Sequence, residues 1–517
     1  MLRRVRLKAR PEDFVVREAY RFEKTRRGEY YVYLMDKQKL STFEAVSQVA
    51  SAHGIPVRNI SFCGLKDKQG RTEQIIAVRG QRVEMQTPQL RLKYLGRTGT
   101  PLSAKNIRAN RFVVTVRDLT LEEAERIPAS IEEVRRLGLV NYFDSQRFGS
   151  LKHGRGWIAK DLAKGRLEHA LRGYLATPSD LDRSEDAKVK RFWQQHFGDW
   201  GARCRYKKMR EYRPIVEALR RNPKDYAGAL MKIERRQRGM ILFEYQSYLF
   251  NESVRRYLLG RFTRSGLLAL KYQAGVLLFP RRVPEAERLD ALFEMDFPLV
   301  GPDTKIADPE VRKAVEDTLR AERLSFEELA IPKIPEMGFR HELRPLVVQP
   351  SKLSVVDPRP DELHPGRVKV TLAFTLPPGA YASLLVRRTL WFATDEAEHF
   401  GGPLPEADRS FLPEGLEARV HAAHSRAVHR RNRRPRPIKG ITAVEIAERR
   451  RRSRRTAGGK AAAPAPRGGT RRRRGRLPPV SAPQAEQRSD TKRRSGHRKS
   501  QGHHAAHPTA RRKRPRR

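Results

Sequence analysis

Cysteine is nearly missing from this 517-residue chain, with Cys63 and Cys204 its only two. Two thiols cannot build a disulfide framework or a thiolate-rich zinc site, which excludes a small secreted scaffold and fits a reducing compartment. A cytoplasmic location is expected. Long apolar runs are missing too. The N-terminal MLRRVRLK carries charge with no apolar core behind it, and GVLLFP at 275–280 is far too short to cross a bilayer, so neither an export signal nor a membrane span is read. There is no Walker loop, no GxGxxG fingerprint and, in the part expected to fold, no His/Cys cluster with zinc spacing. That removes the usual supports for nucleotide-driven, redox and zinc chemistry. His503, His504 and His507 lie in a biased C-terminal stretch and read as compositional. No repeat of solenoid period is present. Acid is scarce as well: 59 Asp+Glu face 108 Lys+Arg, a formal charge of +49 that calls for a polyanionic partner, with nucleic acid the leading candidate.

The charge is unevenly spread. Residues 421–517 contain 32 Lys+Arg and 4 Asp+Glu and no aromatic residue, which leaves +21 for residues 1–420. A stretch so basic and so poor in apolar side chains is expected to be disordered, as a loose phosphate binder or a solubilising extension. Before it, strand and helix signals mix. Residues 29–35 (EYYVYLM) have strand composition, STFE at 41–44 is a capping box opening a helix, and Gly54 should end it. Two short strands at 59–63 and 72–78 flank a polar turn, and NRFVVTVR at 110–117 alternates as a third. Helical signals at 121–126 and 130–137 stop at Gly138. From 151 to about 343 the chain turns helical and charged, with an apolar stripe of Leu242, Tyr245, Leu249, Phe250, Val254 and Leu258 predicted for a helix over 241–259. Strand composition returns at 346–348 and 368–374. A strand-rich start, a helix-rich middle and a strand return imply one α+β domain interrupted by an insertion.

Three stretches could carry chemistry. In SFCGLKDKQGRTEQ at 61–74, Asp67 stands between Lys66 and Lys68, with Gly64 and Gly70 allowing close backbone approach. By composition the segment reads first as a polar hairpin turn; against that, the nearby cations favour an ionised carboxylate suited to act as base or nucleophile. LKARPEDFVVRE at 7–18 is by itself a turn and a strand start. GLVNYFDSQRFG at 138–149 interleaves three aromatics with Asn141, Gln146 and Arg147, a mix suited to stacking and hydrogen bonding on RNA, or to a packed domain edge.

Together with YQSYLFN at 245–251 and NRF at 110–112, KARPEDF at 8–14, GLKDKQGRTEQ at 64–74 and NYFDSQRFG at 141–149 resemble, in chain order, the signature blocks of the TruD family of tRNA pseudouridine synthases. The resemblance spans roughly residues 1–395. It departs at Asp144, where the family pattern has Gly. The resemblance implies a pseudouridine-synthase α+β catalytic domain interrupted by an inserted α/β TRUD domain: 1–147 and 351–397 catalytic, 148–350 inserted, 398–517 a linker and disordered basic tail. It implies Asp67 as the catalytic carboxylate, Phe14 and Tyr381 stacking on the target nucleotide, and Asn110 beside it as a hydrogen-bonding residue. Phe112 is a further stacking candidate, or core. Lys8 pairs with a phosphate or with Asp67. The reaction is an isomerisation and needs neither cofactor nor metal; the partner is tRNA, typically at uridine 13, and a monomer is expected. The alternatives are a non-catalytic RNA-binding or ribosome-associated protein, and an RNA methyltransferase, which would need a nucleotide-cofactor loop.

Overall fold

The structure, a computed structural model, describes residues 6–148, 156–179, 182–281 and 286–393. The basic tail therefore lies outside the described residues. A nine-stranded sheet organises the two ends of this region: β1 (Arg6–Leu7), β2 (Phe14–Tyr20), β3 (Tyr30–Gln38), β4 (Ile60–Phe62), β5 (Arg71–Arg79), β6 (Leu90–Thr98), β7 (Ile107–Leu119), β8 (Ser351–Pro360) and β9 (Val368–Leu376). The order is β8-β9-β7-β2-β5-β3-β6, with β1 on β7 and β4 on β5. Only β2 and β5 run parallel, Val15 opposite Arg71 and Arg17 opposite Glu73. Leu372 of β9 faces Val114 of β7, so a strand from beyond residue 350 completes a sheet begun near residue 6.

Period-two patterning decides the faces. In β7, Phe112, Val114 and Val116 are buried, while Arg111 just before them and Val113 between the first two are exposed. Helix α1 (Thr42–Ala52) opens with the expected capping box: the Glu44 amide donates to Ser41 Oγ at 3.1 Å and the Ser41 amide to Glu44 Oε2 at 2.7 Å. Its Ala45, Val46, Val49 and Ala50 pack on Tyr33, Met35, Ile76 and Val78, and Gly54 follows at φ +64. Gly138, predicted as a helix stop, has φ +67, and a Cβ there would lie 2.5 Å from the Val347 side chain. That closeness belongs to the junction, where Leu139–Val140 and Val347–Val348 pair antiparallel and close the base of the helix-rich segment.

The helix predicted over 241–259 runs longer, as α2 (Arg235–Arg261), and it is not amphipathic. Glu244, Gln246, Ser247, Asn251, Glu252, Ser253 and Arg255 are buried along with the apolar stripe. The helix lies in the helix-rich middle of the chain, and several of these buried polar side chains are satisfied there. Gln246 Nε2 donates to the Val300 and Arg340 carbonyls at 2.8 and 2.7 Å, Asn251 exchanges hydrogen bonds with the Phe143 backbone, and Arg255 pairs with Glu252. Among the described residues no helix is long and apolar enough to cross a membrane.

Candidate active site

Asp67 stands in the irregular loop between β4 and β5, and that loop is anchored from several sides. The Lys66 amide donates to Thr42 Oγ1 at 2.9 Å. Thr42 in turn donates to Gln74 Oε1 at 2.9 Å, and Gln74 Nε2 donates to the Gly64 carbonyl at 3.1 Å. One hydroxyl and one amide, at the start of α1 and in β5, thus hold the arm of the loop that leads into Asp67. From β3, the buried Lys37 donates to the Asp67 carbonyl at 2.9 Å and to the Leu40 carbonyl at 2.7 Å. Burial pushes the Lys37 ammonium down to about 8, with nearby Lys66 acting the same way and the Asp67 charge opposing both. At the loop's end, a Cβ on Gly70 would stand 2.3 Å from the Phe14 carbonyl oxygen, so glycine is required there by space.

The Asp67 carboxylate, 16% exposed, has Oδ1 on the Gln69 amide at 2.8 Å and Oδ2 ion-paired to Lys8. Lys8 has φ +69, and its ammonium also lies 4.3 Å from the centre of the Phe14 ring. Beside this pair is a buried second one, Lys66 with Glu18, whose other oxygen accepts from the Ile75 amide at 2.9 Å. Glu18 faces Asn110 across β2 and β7. Asn110 Oδ1 is buried with no hydrogen-bond partner among the described residues.

Phe14 is only 5% exposed and meets Phe112 edge-on at 6.1 Å; Phe112 stacks on Phe374 at 5.2 Å. Phe112 thus packs between the rings of Phe14 and Phe374, the core place considered for it beside a stacking one. Tyr381 belongs to a second cluster, reached from Asn110's other neighbour Leu376 through residues 377–380. Arg147 Nε donates to its hydroxyl at 3.3 Å and Phe143 meets its ring edge-on at 6.2 Å. Arg344 donates to Gly379 at 2.9 Å and to Asn141 Oδ1 at 2.6 Å, its guanidinium 4.3 Å from the Phe143 ring, and burial pushes it down to about 10. A cavity of about 630 Å³ lined by Arg10, Asp13, Arg117, Glu362, Lys369 and Thr371 includes none of these groups, and Arg117 and Lys369 there are already paired with carboxylates.

The family profile for tRNA pseudouridine synthase D (TruD) matches residues 4–389. The chain belongs to the TruD family. It is 31% identical over 392 residues to the probable tRNA pseudouridine synthase D 2 of Methanocaldococcus jannaschii, covering 74% of this chain and 91% of that one. It is 30% identical over 393 residues to tRNA pseudouridine synthase D of Aquifex aeolicus, covering 74% and 97%. A TruD crystal structure from Methanosarcina mazei shares the fold at TM-score 0.59 and 23% identity, covering 76% of this chain and 94% of that chain. TruD proteins are isomerases by their family description, and this chain is one of them.

Within this TruD chain, Asp144 occupies the place where Gly was expected, and the backbone does not need glycine there: φ is −89. The carboxylate accepts from the Ser145 amide at 2.8 Å, Ser383 Oγ at 2.6 Å and Arg387 Nη1 at 2.9 Å, which ties this loop to helix α3 (Ala382–Thr389). Sequence reasoning missed Glu18, Lys37, Thr42 and Gln74. A signal existed for two of them, since Glu18 is in phase with Phe14 and Val16, and Lys37 with Tyr33 and Met35. Each is a charge on the inward side of an alternating strand.

Proposed function

We propose that this chain converts a uridine in tRNA to pseudouridine, with Asp67 as the reacting carboxylate. The observation that carries the reading is a mostly buried carboxylate ion-paired to Lys8, on a loop fixed by α1, β3 and β5, in a chain of the TruD family. Pseudouridine formation breaks the N-glycosidic bond, turns the uracil and rejoins it through C5. One carboxylate must act at the ribose, either by attacking C1′ or by taking the C2′ proton. Atoms balance within the substrate, so no co-reactant enters. The target base must leave its stack at a cost of a few kcal/mol, and stacking on an aromatic side chain can return about 1 to 3 kcal/mol. Tyr381 and the edge of Phe14 are the groups for that contact, with Asn110 Oδ1 accepting from the nucleotide. Lys8 covers both Asp67 and Phe14, so substrate entry moves its ammonium onto a phosphate and frees the carboxylate. Uridine 13 is the position proposed from the resemblance, with residues 148–350 as the insertion that cradles the tRNA against the catalytic part.

The test is incubation of the protein with unmodified tRNA and no added cofactor, followed by mapping of pseudouridine, alongside Asp67→Asn. The substitution should abolish product while tRNA affinity stays within a few fold. Product formation by Asp67→Asn at the parent rate would move catalysis to another group, and absence of product from the parent would leave an RNA-binding role.

A further inference from the structure

On the insertion, one short stretch concentrates exposed charge. Residues 203–213 (RCRYKKMREYR) contain six cations and one carboxylate, a net +5 in eleven residues where residues 1–420 together carry +21. The fold turns this composition outward. Ala202 and Cys204 pack against the core, which leaves Arg203 and Arg205 exposed on either side of the cysteine. Tyr206 follows at 44% exposure, then exposed Lys207. The helix Met209–Arg221 buries Tyr212, Ile215, Val216 and Leu219, so Arg210 and Arg213 face away from that apolar side. The single acid, Glu211, is taken by Lys208 at 2.8 Å. Among the described residues, no carboxylate pairs with Arg203, Arg205, Lys207, Arg210 or Arg213.

Five exposed cations held together without counter-charges repel one another, and the fold gains nothing from them. Some exposed cations elsewhere on this surface do find partners, as Lys188 with Glu185, Lys313 with Asp317 and Arg172 with Glu168. We propose that Arg203, Arg205, Lys207, Arg210 and Arg213, with Tyr206 among them, form an RNA-backbone contact on the insertion that grips the tRNA outside the nucleotide being isomerised. The proposal rests on the reading of tRNA as substrate. Guanidinium groups spread over a loop and a helix start match a row of phosphates, each contact releasing a counterion, and an exposed tyrosine ring between them offers a face to a ribose or an unstacked base. An acidic protein would be attracted by the charge but would leave the tyrosine without a role.

Two triple variants test this: Arg205→Gln, Lys207→Gln, Arg210→Gln, and the same three positions changed to Glu. The neutral set is needed because a reversed patch could draw in the chain's own basic C-terminal region. All three side chains are exposed, and near-ultraviolet circular dichroism checks that the fold is kept. Binding is measured over a salt series with full-length tRNA and with a stem-loop that carries only the target uridine. For full-length tRNA the neutral set should weaken binding about tenfold or more at low salt. It should also flatten the plot of log K against log salt by about two units, since each phosphate no longer neutralised removes roughly 0.7 to 0.9 from the slope. The loss should appear in Kd and KM rather than in the single-turnover rate at saturation, and stem-loop binding should barely change. Equal losses for tRNA and stem-loop would overturn the proposal in favour of a general field. Unchanged tRNA affinity and slope would overturn it and leave an acidic protein surface as the partner. Because the readout is binding, it holds in an Asp67→Asn background, so failure of the catalytic assignment and failure of this contact are told apart.

Discussion

At the scale of single residues, the site depends on space as much as on charge. Gly70 ends the Asp67 loop against the Phe14 backbone without a left-handed φ, so what excludes a side chain there is the 2.3 Å approach of a Cβ to the Phe14 carbonyl. Gly70→Ala should push β2 and the loop apart. Misplacing a reacting group by about 1 Å costs on the order of a hundredfold in rate, and single-turnover kinetics at saturating tRNA should show a fall of that order with Kd little changed. An unchanged rate would mean the loop adapts. Asp67 is proposed from sequence because its flanking motif stands as a string, and Phe14, Asn110 and Tyr381 are proposed only through the same resemblance. Phe112 was ambiguous for a physical reason: in an alternating strand one phase is core and the other is surface, and sequence does not say what lies beyond the core side. The structure places Phe374 there.

At the scale of elements, the start of α1 does two tasks. Ser41 and Glu44 satisfy its first amides, and Thr42, one residue further, carries the hydroxyl that joins Lys66 to Gln74. The capping box was readable from STFE, but the reach of Thr42 to a loop 24 residues away was not, because nothing local marks it. Thr42→Val keeps the shape and removes that hydroxyl, leaving the Lys66 amide and Gln74 Oε1 short of a partner, at a cost of about 1 to 3 kcal/mol. Thermal unfolding should show the loss and pseudouridine formation should slow, with tRNA affinity retained. Lys37 makes a pH prediction. Its folded value of about 8 lies below the ordinary 10.5, so from pH 8 up to about 10.5 the unfolded chain holds a proton that the folded one has released. The folded state's deficit is full below pH 8 and disappears as pH rises past 10.5, so this group makes stability rise across that window, at about 1.4 kcal/mol per pKa unit. Lys37→Met should remove that rise in denaturant titrations run at about pH 8 and about pH 10, the two ends of the window. A parent and variant with the same slope would mean that Lys37 is not desolvated.

At the scale of the whole molecule, charge is divided between a folded part and a C-terminal region that share no proposed catalytic group. The 32 positive residues in positions 421–517, with only seven aliphatic side chains larger than alanine among them, should bind RNA through counterion release and without sequence preference. Deleting 421–517 removes none of Asp67, Lys8, Phe14, Asn110 or Tyr381, so turnover at saturating tRNA should survive. Affinity at low salt should fall, and binding should weaken less steeply as salt rises, because fewer phosphates are neutralised. Filter binding over a salt series for full-length and shortened protein, with single-turnover rates beside it, measures both. The insertion patch and this region predict different patterns: removing the C-terminal charge should weaken tRNA and stem-loop alike, whereas neutralising the patch should weaken only the longer RNA. If shortening leaves the salt slope untouched, the C-terminal region is not an RNA-binding arm, and an address read by a receptor becomes the better account. If it abolishes chemistry at saturation, the fold extends past residue 420 and the catalytic part needs residues from the basic tail.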